Sequence, residues 1–107
     1  MIQVSEVKSQ VKEILRIIKQ VAPGKSVELR IPPYAAIQCV TGLVHTRGTP
    51  PNVVEMEGQV LIELFQNPDL WDKFCFNGLI SASGTNANLH AVVTEASKLG
   101  LGLRLGK

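Results

Sequence analysis

Two extended segments meet in the stretch VELRIPPYAAIQC, residues 27–39. In residues 27–31 apolar side chains alternate with glutamate and arginine, which is typical of a strand with one buried and one charged face. Pro32-Pro33 interrupts this strand, because proline offers no backbone N–H to a sheet. Residues 34–40 are apolar on both faces except at Gln38, which suits a central strand, although the two alanines are also compatible with a helix. The stretch therefore predicts two strands joined by a proline turn.

The segment before these strands predicts an amphipathic helix. Its apolar side chains recur at spacings of three and four, and charged or polar residues fill the other side. Ser5 is the candidate N-cap, and Pro23-Gly24 marks the end of the helix. The apolar stripe consists of Val4, Val7, Val11, Ile14, Leu15, Ile18 and Val21.

Two middle helices carry more apolar surface than one neighbour can cover. The first spans 57–66, where the polar positions reduce to the ends and Glu63. The second follows Asn67-Pro68, with Asp69 as its predicted cap, and its apolar side chains surround most of the helix. Such an excess implies either a partner or a cavity.

The remaining elements are shorter. Residues 41–52 predict a loop or a pair of turns, and residues 53–56 and 79–83 predict strands. Thr85 or Asn86 is the candidate cap of a last helix. The tail from residue 99 alternates like an edge strand, although its glycines weaken regular structure. This helix's apolar stripe is Leu89, Val92, Val93 and Ala96. The order of elements predicts an α+β fold with helices covering one face of a sheet.

Composition limits the classes of function. The chain has 107 residues, 45% of them hydrophobic, and a formal charge of +2. This size fits one globular domain, residues 1–107, with a core that needs no metal or disulfide. Lysine and arginine do not cluster among aromatic rings, which disfavours nucleic-acid binding. The apolar runs are too short to span a membrane, and the N-terminus does not resemble a signal peptide.

The cysteines and histidines do not form a recognisable site. Cys39 and Cys75 lie within apolar runs and are interpreted as buried thiols of a cytoplasmic protein. With His45 and His90 they lack the close pairs that zinc prefers, so no metal or other cofactor is predicted. A Cys75 nucleophile with His90 as base is disfavoured, because aromatic neighbours would solvate a thiolate poorly. We therefore expect no catalytic residue and no enzymatic activity.

Three ordered strings resemble the bacterial branch of the sterol carrier protein family. They are VELRIPPYAAIQC at 27–39, HTRGTPPNVVE at 45–55 and SASG at 81–84, and the resemblance extends over about residues 7–89. It implies a small mixed sheet of about five strands with helices on one face. It also implies an apolar tunnel or cleft that holds lipids, without catalysis. A similar domain is fused to mycothiol-dependent isomerases, whose chemistry lies in the other domain.

On this basis we expect an apolar small molecule or lipid to bind between the sheet and the middle helices. His45 and Arg47 are candidates for a polar mouth that pairs with a carboxylate or phosphate head group. The alternative is an interaction module with a filled core, acting as a homodimer or as the partner of a separately encoded thiol-dependent isomerase-type enzyme. The same apolar side chains would serve as pocket lining or as core. They are Leu61, Leu64, Phe65, Trp71 and Phe74.

Overall fold

The computed structural model describes residues 4–42 and 51–100. Their secondary structure confirms the α+β class. The elements in chain order are α1 (Val4–Val21), β1 (Val27–Ile31), β2 (Ala35–Cys39), β3 (Asn52–Met56), α2 (Gly58–Gln66), a 3-10 turn (Pro68–Leu70), α3 (Trp71–Phe76), β4 (Ile80–Ser83) and α4 (His90–Leu99).

The described strands form one mixed sheet in the order β2-β1-β3-β4. β1 pairs antiparallel with β2 and parallel with β3, and β3 pairs antiparallel with β4. The expected number of about five strands was too high for the described residues, which form four. Leu99, where the predicted tail strand begins, belongs to α4, and residues 101–107 lie outside the described part.

Among the described strands, β2 lies at the edge of the sheet, so its interpretation as a central strand was wrong for this part of the chain. Its apolar character has another cause. α1 lies against β2 on the inner face of the sheet, where Cys39 is fully buried. On the other face the small side chain of Ala36 is exposed to solvent.

Helices cover one face of the sheet, as expected. Along β1, Val27, Leu29 and Ile31 are fully buried, and Leu29 lies opposite Ile37 on one side and Val54 on the other. The opposite face is open to solvent and bears polar side chains. Arg30, Glu55, Ser81 and Ser83 are exposed there.

α1 is buried over a wider arc than its sequence predicted. The helix contacts α2, α4 and β2, so it has neighbours on several sides. Ile17, which lies outside the predicted stripe, is therefore buried along with Ile14 and Ile18. The helix ends at Val21 as predicted, but it begins at Val4, which places the proposed cap Ser5 inside the helix.

α2 buries both of its apolar faces against other helices. It packs against α1 and α4, and its apolar side chains are buried throughout. The second face that the sequence required something to cover is therefore covered by the chain itself. Its first residue, Gly58, approaches α1 and Tyr34 so closely that a Cβ there would lie 2.9 Å from Val7 Cγ1 and 3.0 Å from Tyr34 Cε2.

Two predicted helix caps were wrong. Asp69 lies in the 3-10 turn and forms no cap; its Oδ1 is instead 3.2 Å from His90 Nε2. α4 begins at His90, beyond both Thr85 and Asn86, and the His90 backbone N–H donates a 2.9 Å hydrogen bond to Asn88 Oδ1. Asn88 therefore satisfies an N–H group that has no partner within the helix.

Candidate functional site

A cleft of about 520 Å³ lies where the β1–β2 turn, the end of β3, the start of α2 and the turn before β4 meet. We call it the Met56 cleft. Its volume falls in the range of roughly 300–1,000 Å³ that is typical of small-molecule sites. It is lined by Pro32, Pro33, Glu55, Met56, Glu57, Val60, Gly78, Leu79 and Ser81.

The apolar lining of the Met56 cleft reaches the hydrophobic core. Met56 and Val60 are buried, with 3% and 8% of their surface exposed, and both belong to the core cluster. Leu79 lines the cleft with 46% of its surface exposed. Since Met56 is opposite Ile80 in the β3–β4 register, the cleft adjoins the inner side of the sheet. An apolar group in this cleft would contact the core directly.

The polar lining is acidic. Glu55 and Glu57 are both exposed, and they flank the buried Met56 because the side chains of a strand alternate between faces. Arg30 Nη1 lies 3.8 Å from Glu55 Oε1. No hydrogen bond or ion pair of the Glu57 side chain occurs among the described residues.

A second cleft, of about 380 Å³, lies on the open face of the sheet. It shares Pro32, Pro33 and Glu55 with the Met56 cleft and is also lined by Tyr34 and Arg30. The Arg30 guanidinium is already placed between two carboxylates, since its Nη2 is 3.3 Å from Glu28 Oε1 and its Nη1 is near Glu55. Two of its lining residues, Tyr34 and Ala35, are partly buried and pack against the core from outside.

The five predicted lining residues are all buried in the core. Leu61 and Leu64 have no exposed surface, and the three aromatic side chains are nearly as inaccessible. None of the five lines either cleft. Their role as pocket lining therefore stays a prediction. They are Leu61, Leu64, Phe65, Trp71 and Phe74.

The predicted polar mouth is not part of the described structure. His45 and Arg47 fall in residues 43–50, outside the described residues, so their role as head-group ligands stays a prediction as well.

The thiols are in surroundings that disfavour the reactive thiolate. Burial raises the pKa of Cys39 to about 11. Burial, and then the negative charge of Asp72, raise the pKa of Cys75. A nucleophilic cysteine requires the opposite shift. The described residues contain no group of three or more His, Cys, Asp or Glu side chains that could hold a metal ion.

Sequence reasoning did not identify the Met56 cleft. Its apolar lining comes from four separate segments, and Pro32, Val60 and Leu79 individually looked like turn, helix and strand residues. The pair Pro32-Pro33 marked a turn there, but a turn residue does not by itself indicate a cleft. Asn52, the last residue of the predicted loop 41–52, is instead the first residue of β3, and its buried side chain lies between two other segments.

The structure and the comparisons with known proteins agree on the type of domain. In residues 4–42 and 51–100, no helix has the length and apolar character that crossing a membrane requires. No curated protein matches the chain. A family model described as bacterial SCP ortholog matches residues 3–94, which include every helix and strand of the structure up to the first half of α4. The chain therefore belongs to the family of bacterial sterol carrier protein orthologues, as the strings at 27–39, 45–55 and 81–84 predicted.

Proposed function

We propose that the chain is a non-catalytic domain that binds an apolar small molecule or lipid, and that the Met56 cleft is the entrance of the binding site. The observation that carries the proposal is the contact of this cleft with the core through Met56 and Val60. Membership of a sterol carrier protein family supports apolar binding in general. The raised pKa values of both thiols support a role without nucleophilic catalysis.

Burial of hydrocarbon would supply the affinity. Each methylene removed from water contributes about 0.8 kcal/mol, so ten buried carbons contribute roughly 8 kcal/mol. Association costs about 4 kcal/mol or more in lost freedom of motion, which leaves a modest net affinity for a short chain. A longer chain would have to pass beyond Met56 and Val60, between the sheet and the middle helices. There it would meet the buried residues Leu61, Leu64, Phe65, Trp71 and Phe74.

Native mass spectrometry tests the proposal without assuming a ligand. The purified chain is incubated with a bacterial lipid extract and separated from free lipid, and the mass of the complex is measured. A stoichiometric lipid on a monomer supports the carrier. A chain that stays empty over the whole extract contradicts it.

Two exposed leucines provide a matched pair of variants. Leu79 lines the Met56 cleft, whereas Leu99, which is 53% exposed, lies at the end of α4 and lines neither cleft. Loss of about 1 kcal/mol of apolar contact in Leu79→Ser should weaken binding of 1-decanol roughly fivefold in calorimetry. Leu99→Ser should leave the affinity unchanged. Equal effects of the two changes would place the ligand elsewhere.

The second candidate function is an interaction module, and one observation favours it. Phe76, at the end of α3, is 91% exposed, and contact with a partner would remove its large apolar ring from water. The partner would be a second copy of the chain, or the separately encoded enzyme of the isomerase type considered above. Light scattering after size exclusion distinguishes the candidates. The interaction module is favoured if the wild type is a dimer, if Phe76→Ser is a monomer, and if neither form carries lipid.

We also propose that the chain acts in the cytoplasm. Cys39 and Cys75 are free cysteines, and reduced thiols are the usual state in that compartment. To test this, the protein is isolated from cells in the presence of an alkylating reagent and unfolded, and the labelling of each thiol is measured. Both thiols should be labelled. A chain recovered with oxidised cysteines contradicts the proposal.

A further inference from the structure

We propose that the Met56 cleft selects amphiphiles whose head group is a cation, such as an ammonium, over those whose head group is a carboxylate. This inference rests on the proposed function, since it names the class of ligand for the same cleft. The site is the apolar cleft that opens onto the core, and the charges along its lining determine which head group fits.

The charges in the described lining of the Met56 cleft are of one sign. Among its nine described residues, the charged ones are Glu55 and Glu57. Glu57 follows Met56 directly in sequence, so the apolar floor and this carboxylate come from adjacent residues. Within residues 4–42 and 51–100 the Glu57 side chain has no ion pair or hydrogen bond. No described residue therefore competes with a ligand for this carboxylate.

Arg30, the cation that pairs with Glu55, is shared with a second carboxylate. It lies between Glu28 and Glu55, at 3.3 Å and 3.8 Å, and it lines the second cleft rather than the Met56 cleft. Glu57 is not among its partners in the described residues. A carboxylate head group would meet repulsion here, whereas an ammonium would gain a partner.

The net charge of the whole chain is opposite in sign to the charges of the cleft lining. Its formal charge is +2, so nonspecific attraction would favour the anionic amphiphile. A preference for the cation would thus report the local charges of the cleft. Each exposed ion pair strengthens binding by about 1.4-fold to fivefold, so two carboxylates should favour ammonium over alcohol roughly twofold to thirtyfold at low salt.

The test compares three ligands with the same ten-carbon tail. Decylammonium, 1-decanol and decanoate are titrated into the purified chain by calorimetry at pH 7.5 and low ionic strength, below the concentration at which they form micelles. We expect affinity to fall in that order, and the spread between them to shrink in 0.5 M salt, because exposed charges are screened. Binding of all three with equal affinity, or tightest binding of decanoate, overturns the inference and leaves the proposed function standing. Tightest binding of decanoate would instead favour Arg47 at the mouth.

Variants locate the effect. Glu57→Gln should reduce the preference for decylammonium over 1-decanol, taken as the ratio of the two affinities in the same variant, about twofold to fivefold. Glu63→Gln removes the same charge from an exposed position of α2 that does not line the cleft, and it should preserve the preference. If both variants lose the preference for decylammonium equally, the preference does not arise from the charges of the Met56 cleft. If Glu57→Gln does not fold, the salt dependence of the wild type decides. Failure of all three ligands to bind overturns the proposed function and this inference with it.

Discussion

The side-chain amide of Asn52 donates a 2.9 Å hydrogen bond to the backbone carbonyl oxygen of Ser26. The same Nδ2 lies 3.2 Å from Ser26 Oγ, and Asn52 Oδ1 accepts a 2.9 Å hydrogen bond from the backbone N–H of Asn86. Asn52 and Ser26 are the buried polar residues among a core that is otherwise apolar in the described part of the chain. One side chain therefore joins the start of β1, the start of β3 and the loop after β4.

Replacing this amide should destabilise the fold. Asn52→Ala would leave the buried Ser26 carbonyl without its partner and would remove the partly buried hydrogen bond to the Asn86 N–H. Unsatisfied buried polar groups cost about 1–3 kcal/mol each, so we expect the free energy of unfolding to fall by roughly 2–4 kcal/mol. Urea denaturation followed by circular dichroism measures the change. Asn77→Ala, the same change at an exposed position, should alter it by less than about 0.5 kcal/mol. Similar losses in both variants would contradict the assigned role.

Gly58 should not tolerate a methyl group, although it begins a helix. An alanine would ordinarily favour α2, but its Cβ would meet Val7 and Tyr34 at about the distances where atoms overlap. Overpacking of this kind costs about 1–3 kcal/mol, so Gly58→Ala should lower the melting temperature. Gln59→Ala, at the next and exposed position, provides the control and should leave it nearly unchanged. A melting temperature raised by Gly58→Ala would show that α1 or Tyr34 moves aside without cost.

Cys39 should make stability fall at alkaline pH. Its pKa is about 11 in the folded chain against an ordinary value of 9.0, so the unfolded chain loses this proton first as the pH rises. The contribution to stability is complete below pH 9 and is lost as the pH rises through about 11, by at most roughly 2–3 kcal/mol. Under reducing conditions, Cys39→Ala should therefore show a flatter decline of unfolding free energy between pH 9 and pH 11. An identical slope in wild type and variant would show that Cys39 does not carry the effect.

The elements that sequence predicted well are those whose signal is local. The three-four spacing of α1 and the alternation of β1 depend on which face of a single element is buried, and that pattern is visible in the residues themselves. Ile17 was missed because its burial depends on two neighbouring helices, α2 and α4. The edge position of β2 was missed for the same reason, since the pairing order of a sheet depends on distant strands. The predicted caps at Asp69 and at Thr85 or Asn86 were wrong, because a capping residue type does not by itself fix where a helix begins.

The candidate site depended even more on tertiary structure. The apolar excess of α2 was read correctly, but the sequence did not show that α1 and α4 cover it. Leu61 and Leu64 would have looked the same in a core or in a pocket, because the same atoms serve either purpose. The Met56 cleft arises where four segments end near one another, and the sequence of no single segment predicts that they meet.

Trp71 offers a direct test of whether a bound chain reaches the five buried residues. It is the one tryptophan of the sequence, it lies at the start of α3, and it is almost fully buried. A bromine atom quenches indole fluorescence only at contact distance. An amphiphile brominated near the end of its tail should therefore quench Trp71 in a saturable manner if the tail passes Met56 and Val60. The unbrominated ligand of the same length provides the control for effects of binding alone.

The position of the bromine distinguishes a tail that enters the space beyond Met56 and Val60 from a ligand that stays within the Met56 cleft. If the tail enters the space between the sheet and the middle helices, bromine at the tail end should quench Trp71 more strongly than bromine next to the head group, which stays in the Met56 cleft. Val60→Trp would add an indole at the cleft itself, and bromine next to the head group should quench that indole. Binding in calorimetry without quenching of Trp71 would confine the ligand to the cleft. In that case Leu61, Leu64, Phe65, Trp71 and Phe74 serve as the core that supports the cleft, because residues packed this tightly would have to move apart to admit a chain.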